Sequence, residues 1–119
     1  MTNVGRPMYE ERQWGCYSVL ENLDGMLTKH LTIKKGKAIS YQFHHHRDEM
    51  WTFVKGSGVL VLDGVAREVS IGDFALIKAG TFHTVYAREE LHIIEVQTGD
   101  PLIEEDIERF SFDWEEYLK

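Results

Sequence analysis

The chain has 119 residues, of which 43% are hydrophobic, and its three Trp, five Tyr and six Phe are enough to fill one small core. The net charge of −7 argues against a nucleic acid partner, which would need clustered Lys and Arg, and no apolar stretch reaches the ~20 residues of a membrane span. The single cysteine, Cys16, excludes an internal disulfide framework and is interpreted as a packing residue. Because residues 1–8 lack a signal-peptide pattern, we predict a cytoplasmic protein.

Short β-strand patterns separated by turn residues follow one another along the chain. The predicted strands are residues 17–20, 26–34, 37–43, 50–54, 58–62, 65–69, 74–77, 81–87 and 91–97. Asp63-Gly64 is a strong signal for a two-residue hairpin between two of them. About nine short strands without a long amphipathic helix indicate an all-β sandwich or barrel.

The pattern changes after Asp100-Pro101. Residues 102–110 carry acids first and Arg109 late, which predicts a short helix, and Asp113 resembles the cap of a further helical turn at 113–118. We expect the aromatic residues of this tail to pack on the barrel or on a second subunit. Exposed strand edges and aromatic surface favour a homodimer.

Four of the six histidines stand in two places, at residues 44–46 and at His83. Side chains alternate along a strand, so Gln42, His44 and His46 share one face, about 6.6 Å apart at the backbone, which is close enough to converge on one ion. Glu49 begins the next strand and could close the site. The alternative for the triplet is a solvated turn, and a metal site is the leading hypothesis.

Two segments resemble the motifs of the cupin superfamily. Residues 36–56 resemble the first motif through Glu49 and the glycine seven residues later, and residues 72–87 resemble the second through Gly72, Gly80 and His83, although Lys78 replaces its usual proline and Ala87 its final asparagine. The resemblance implies an all-β, double-stranded β-helix (a cupin jelly roll) whose lumen holds one metal. The whole chain, 1–119, would form one cupin domain with a tail at 100–119 that contains a short C-terminal helical segment.

Four further segments narrow the resemblance. Residues 12–15, 42–47, 93–97 and 106–110 resemble, in order, the mannose-6-phosphate isomerase (type II) domain that ends bifunctional mannose-1-phosphate guanylyltransferases, with Gln13 where that family usually has proline. We expect a stand-alone domain without guanylyl transfer, because 119 residues leave no room for a nucleotidyltransferase and its glycine-rich phosphate-binding start is absent.

The resemblance also implies which side chains are ligands. If Gln42 and His44 are the ligand pair, four residues separate the pair from Glu49; if His44 and His46 are the pair, only two do. The first spacing resembles the Gln-x-His zinc pattern of phosphomannose isomerases. We therefore predict Gln42, His44, Glu49 and His83 as ligands, with His46 in reserve. An amide, two imidazoles and a carboxylate suit a divalent ion, Zn²⁺ first and Fe²⁺, Mn²⁺ or Ni²⁺ behind it.

The implied reaction interconverts mannose 6-phosphate and fructose 6-phosphate through an enediolate, with the metal polarising the substrate oxygens. Glu95 is the predicted base, because a carboxylate between apolar neighbours has a raised pKa; the alternative is an outward-facing Glu95. Arg109 and Lys29 are candidate phosphate partners in a locally positive pocket, and the alternative for each is an exposed solubilising charge.

Two other classes of function stay open. One is a non-enzymatic cupin that binds a sugar or regulates a partner, with the metal as an organising element. The other is a different cupin enzyme, either a dioxygenase that needs Fe²⁺ or a nucleotide-sugar epimerase that uses a histidine and tyrosine pair instead of a metal.

Overall fold

The computed structural model describes residues 8–118, which form eleven β-strands and one short 3-10 turn. The strands are β1 (Tyr9–Arg12), β2 (Gly15–Leu23), β3 (Met26–Ile33), β4 (Tyr41–Phe43), β5 (Arg47–Lys55), β6 (Ser57–Leu62), β7 (Val65–Ser70), β8 (Phe74–Ile77), β9 (His83–Ala87), β10 (Leu91–Gly99) and β11 (Glu108–Phe110). Each of the nine predicted strands is present, while β1 was not predicted and only three residues of the segment 37–43 form a strand.

Two antiparallel sheets face each other. One has the strand order β1-β2-β3-β10-β5-β8, and the other has the order β11-β4-β9-β6-β7. Alternate side chains of β3, β5 and β10 point between the sheets. Phe53 and Ile93 from the first sheet share one core there with Leu60 and Val85 from the second. The all-β prediction is confirmed, and no helix within residues 8–118 has the length and apolar character needed to cross a membrane.

Two local features fix the connections around β6. Asp63 and Gly64 both have positive φ, 46° and 80°, and they join Leu62 to Val65 as the predicted two-residue hairpin. Gly56, at φ 89°, lies where a Cβ would stand 2.0 Å from the carbonyl oxygen of Glu90. A side chain at this position is excluded by the backbone of the β9–β10 loop, so the turn between β5 and β6 requires glycine.

The predicted helix at 102–110 is wrong. Residues 102–107 form turns and irregular backbone, and residues 108–110 form β11, which pairs with β4 (Glu108 opposite Phe43, Phe110 opposite Tyr41). The pairing covers an otherwise open edge of the second sheet, and the Phe110 ring stacks on that of Phe43 at 5.9 Å between centroids. Tertiary pairing therefore overrides the local charge pattern.

The last predicted turn is present as a 3-10 turn, Trp114–Glu116, shorter than an α-helical segment. Asp113 caps this turn by accepting a hydrogen bond from the backbone N–H of Glu115 at 2.9 Å. The Trp114 ring lies 5.5 Å from that of Tyr86 on β9, between centroids, so the tail packs on the second sheet.

Candidate metal centre

Three of the predicted ligands come together between the sheets. His44 follows β4, Glu49 lies on β5 and His83 begins β9, and their exposed fractions are 2%, 1% and 0%. One ligand atom from each lies within 4.8 Å of the others. The strand alternation explains this arrangement, because Glu49 is an inward position of β5 and Gln42 pairs directly with His83 in the β4–β9 ladder.

The backbone orients both imidazole rings. His44 Nδ1 donates to the carbonyl oxygen of Asp106 at 2.8 Å, and His83 Nδ1 donates to that of Thr81 at 2.9 Å. A carbonyl oxygen can only accept, so each ring carries its proton on Nδ1 and presents the lone pair of Nε2. Such backbone anchors are typical of histidines that ligate metals through the other nitrogen.

The Nε2 atoms face the carboxylate of Glu49 without a proton between them. His44 Nε2 lies 3.2 Å from Glu49 Oε2, and His83 Nε2 lies 3.7 Å from Glu49 Oε1. Burial lowers the pKa of His44 to about 4 and also lowers the pKa of His83, which keeps both rings neutral. Lone pairs that face each other in a buried space repel, and a cation placed against them removes that repulsion.

The donor set fits a divalent ion. His83 Nε2 is buried and has no hydrogen-bond partner in the described structure, which is the state expected of a ligand atom directed at a cation. Two imidazole nitrogens and a carboxylate are ligands that Zn²⁺, Fe²⁺, Mn²⁺ and Ni²⁺ accept. Gln42, the fourth predicted ligand, lines the neighbouring cavity, and its Oε1 accepts a hydrogen bond from Ser40 Oγ at 2.9 Å. His46, the reserve ligand, is exposed and lies outside the three-residue group.

A cavity of about 480 Å³ opens beside this group. Gln42, Arg47 and Trp51 line the cavity wall next to the metal ligand candidates, and Lys29 and Glu95 line it further along the first sheet. Trp51 Nε1 donates to both Glu49 Oε1 at 3.1 Å and Glu95 Oε1 at 3.0 Å. One indole N–H therefore connects the candidate metal centre with the cavity.

Glu95 faces inward, so the alternative of an outward-facing side chain is wrong. Its Oε2 accepts a hydrogen bond from Gln97 Nε2 at 2.7 Å, and only 5% of the residue is exposed. Burial and the nearby carboxylate of Glu49 raise the pKa of Glu95, while Lys29 and Arg47 oppose that shift. A carboxyl group with a raised pKa that lines a cavity can exchange a proton with a bound molecule.

Lys29 is also buried, and the alternative of an exposed solubilising charge is wrong for it. Lys29 pairs with Glu95 across the β3–β10 ladder, its Nζ lies 3.3 Å from Glu104 Oε1, and it stands 4.1 Å from the centroid of the Tyr17 ring. Arg109 lies on β11, exposed at the cavity wall. The tail thus brings Arg109 to the same cavity as Lys29 and Glu95, which are distant from it in the sequence.

The charges around the cavity differ from those of the whole chain. Five basic residues line it, Arg12, Lys29, Lys37, Arg47 and Arg109, against the two acids Glu95 and Glu104. The net charge of the chain is −7, so positive charge is concentrated locally. A cavity of this kind attracts an anionic ligand.

Sequence reasoning missed three residues of the site, Arg47, Trp51 and Asp106. Arg47 and Trp51 stand two positions before and after Glu49, so the strand period alone could have placed all three on one face. Asp106 has no such signal. Its carboxylate accepts hydrogen bonds from the backbone N–H groups of His45 and His46 at 2.8 and 2.9 Å, contacts that depend on the path of the tail.

Comparisons with known proteins agree with the geometry. Residues 3–112 match the family model of the mannose-6-phosphate isomerase C-terminal domain. The chain is 34% identical over 110 residues to the mannose-1-phosphate guanylyltransferase of Escherichia coli (strain K12), and the match covers 91% of this chain. It spans only 23% of the length of that relative.

Two solved structures share the fold. A protein with a double-stranded β-helix domain from Klebsiella pneumoniae has a TM-score of 0.69 at 19% identity, over 77% of this chain and 75% of that chain. A cupin superfamily protein from Desulfitobacterium hafniense has a TM-score of 0.65 at 14% identity, over 71% of this chain and 76% of that chain. The predicted resemblance is confirmed: the chain has the cupin fold and belongs to the mannose-6-phosphate isomerase C-terminal family.

Proposed function

We propose that this protein is a metal-dependent isomerase of a sugar phosphate, of the mannose 6-phosphate and fructose 6-phosphate type. The observation that carries the proposal is the hydrogen bond of Trp51 Nε1 to both Glu49 and Glu95, which places a buried carboxyl group with a raised pKa beside a group of metal ligand candidates. Aldose–ketose isomerisation needs a polarised carbonyl and a base that moves one proton between adjacent carbons.

His44, Glu49 and His83 would hold the ion, with Gln42 as a further oxygen donor. When bound, a divalent ion would supply Lewis-acid polarisation of the substrate carbonyl. The protein contribution at this point is orientation, because the carbonyl oxygens of Asp106 and Thr81 keep both Nε2 lone pairs directed at Glu49.

Glu95 is the proposed base. Its ionised carboxylate removes the proton from C2 of the aldose and, as the carboxylic acid, returns that proton to C1, while the hydroxyl proton of O2 passes to O1, so Glu95 ends the cycle unchanged. Lys29, on the neighbouring strand, is proposed to donate a hydrogen bond to the substrate oxygen on which negative charge develops. Its burial next to Glu95 favours this role over the phosphate contact expected from the sequence.

Arg109 is proposed to bind the phosphate, assisted by Arg12 and Lys37. All three are exposed and line the cavity, in contrast to the buried Lys29 and Arg47. This separation suits a substrate whose reacting carbons lie deep in the cavity while its phosphate stays at the mouth. A guanidinium can bind a phosphate group through two N–H donors.

The test is a coupled assay of zinc-loaded protein with fructose 6-phosphate and with mannose 6-phosphate. We expect wild-type protein to interconvert the two sugars and Glu95→Gln to lose roughly 10²–10⁴-fold in kcat, the usual contribution of a positioned base, with its bound zinc intact. Glu68→Gln is the matched control, because Glu68 is an exposed glutamate on β7. If wild-type protein is inert on both sugars but binds a saccharide, the isomerase proposal is refuted and a sugar-binding cupin takes its place.

A further inference from the structure

Arg47 lies between the cavity and the metal ligand candidates. It is the first residue of β5, only 8% of it is exposed, and it lines the cavity wall. Its Nε donates to Glu49 Oε2 at 2.8 Å, and its Nη2 stands 3.2 Å from His44 Nε2. One guanidinium thus contacts two of the three groups that would hold the ion.

The contact with His44 competes directly with metal ligation. Nδ1 of His44 carries the proton, so Nε2 has a single lone pair, which either accepts the N–H of Arg47 or binds a metal. The contact with Glu49 differs, because a carboxylate has enough lone pairs to accept from Arg47 Nε and still ligate an ion. Metal entry therefore requires Nη2 to leave His44, whereas the Nε contact can persist.

We propose that Arg47 acts as a built-in substitute cation in the metal-free protein, which the metal displaces from His44, and that the released guanidinium end then binds an anionic group in the cavity. The proposal rests on the metal centre of the proposed function. Its second part follows from position, because Arg47 already lines the cavity and Nη2 needs a new acceptor once His44 is bound to the ion.

The consequence is positive coupling between metal and anion. An anion that takes the released N–H groups stabilises the displaced arrangement, and so does the metal, so each raises the affinity for the other by the same factor.

The first test measures zinc affinity by competition with a chromophoric chelator. We expect Arg47→Met to bind zinc about tenfold more tightly than wild type, the equivalent of one charge-assisted hydrogen bond that no longer has to be broken. Arg88→Met, which removes a partly exposed arginine paired with Glu68, is the matched control and should leave the affinity unchanged. Unchanged or weaker zinc binding by Arg47→Met would refute the proposal that Arg47 takes the place of the metal cation. Weaker binding is the result expected if Arg47 only orients Glu49, because loss of an orienting residue lowers metal affinity.

The second test measures sulfate binding by calorimetry, with and without zinc. Sulfate serves as the anion because it binds zinc weakly, so coupling through direct contact is small. We expect zinc to raise the sulfate affinity of wild-type protein about tenfold and to have little effect in Arg47→Met. If zinc does not change the sulfate affinity of wild-type protein, or raises that of Arg47→Met equally, the proposal that the released guanidinium binds an anion is refuted.

The two proposals fail in different ways. If neither wild type nor Arg88→Met binds zinc, the metal centre is refuted and the proposed function falls with it. If both bind zinc but Arg47→Met does not bind it more tightly, only the role of Arg47 falls. Thermal unfolding checks that each variant is folded. Arg47→Gln, which replaces the guanidinium with a neutral polar group, should change zinc affinity in the same direction.

Discussion

Replacement of Asp106 by alanine tests whether the tail holds the candidate metal centre in place. The Asp106 carboxylate accepts two hydrogen bonds from the backbone of residues 45 and 46, and its carbonyl oxygen accepts from His44 Nδ1. Asp106→Ala removes both carboxylate contacts and keeps the carbonyl. Both the stability of the fold and the orientation of His44 should therefore respond.

The expected loss of stability follows from those two contacts. Hydrogen bonds to a charged group contribute about 1.5–3 kcal/mol each, and His45 and His46 are exposed, so water can replace the carboxylate at their amides. Values at the low end give a loss of about 3 kcal/mol in the free energy of unfolding. Zinc affinity should fall roughly 10–100-fold, the usual effect of loosening the anchor of a ligating histidine.

The loss should depend on pH. Although burial acts in the opposite direction, the amide contacts of His45 and His46 hold the pKa of Asp106 below its usual range. A carboxyl group with a lowered folded-state pKa stabilises the fold above its ordinary pKa of about 3.9, and that contribution is lost as pH falls further. The difference between wild type and Asp106→Ala should therefore be largest near pH 7 and shrink below about pH 4.

Urea unfolding at pH 7 and at pH 3.5, together with chelator competition for zinc, measures these effects. Glu105→Ala is the matched control, because Glu105 is the exposed neighbouring acid and should change neither quantity by more than about 0.5 kcal/mol. If Asp106→Ala is as stable as this control and binds zinc as tightly as wild type, the tail does not support the site.

Two further predictions concern His44 and Arg109. Burial lowers the pKa of His44 to about 4, so between about pH 6.5 and pH 4 this imidazole is protonated only in the unfolded chain. As the pH falls through that range, His44 should lower the unfolding free energy of the metal-free protein by about 1.4 kcal/mol per pH unit. His44→Gln should flatten that slope in urea titrations, and equal slopes would contradict the prediction. Arg109→Met should raise KM for the sugar phosphate about tenfold with little change in kcat, as expected for a contact made equally in ground and transition states. A fall in kcat at constant KM would argue against phosphate binding by Arg109.

Strand patterns and turn residues were readable from the sequence because they depend on neighbours only a few positions apart. Asp63-Gly64 predicted its hairpin through the backbone conformation it permits. Strand alternation made residues 42–46 and Glu49 candidates for a metal site, and the resemblance to the cupin motifs implied His44, Glu49 and His83 as ligands; these three do converge. The spacing of the family motif left His46 as the reserve ligand, and this residue is exposed in the structure.

The inward face of β10 was not readable in this way. Glu95 alternates with Ile94 and Val96, so both faces of the strand mix polar and apolar residues and periodicity cannot identify the buried one. Only the packing of β10 between β3 and β5 turns Glu95 toward the cavity. Its raised pKa arises there, because the carboxylate of Glu49 comes from another strand.

The tail shows the same limit more sharply. The charge order of residues 102–110 satisfies the rules for a helix, yet Arg109 lies on a strand because β4 offers an open edge for pairing. Asp106 reaches the backbone of residues 45 and 46 from about sixty positions away. Local patterns were sufficient for nine of the eleven strands and for the Asp63-Gly64 turn, and the resemblance to a known family supplied the ligand candidates. Tertiary structure alone decided which charges share the cavity, because those contacts join segments that are distant along the chain.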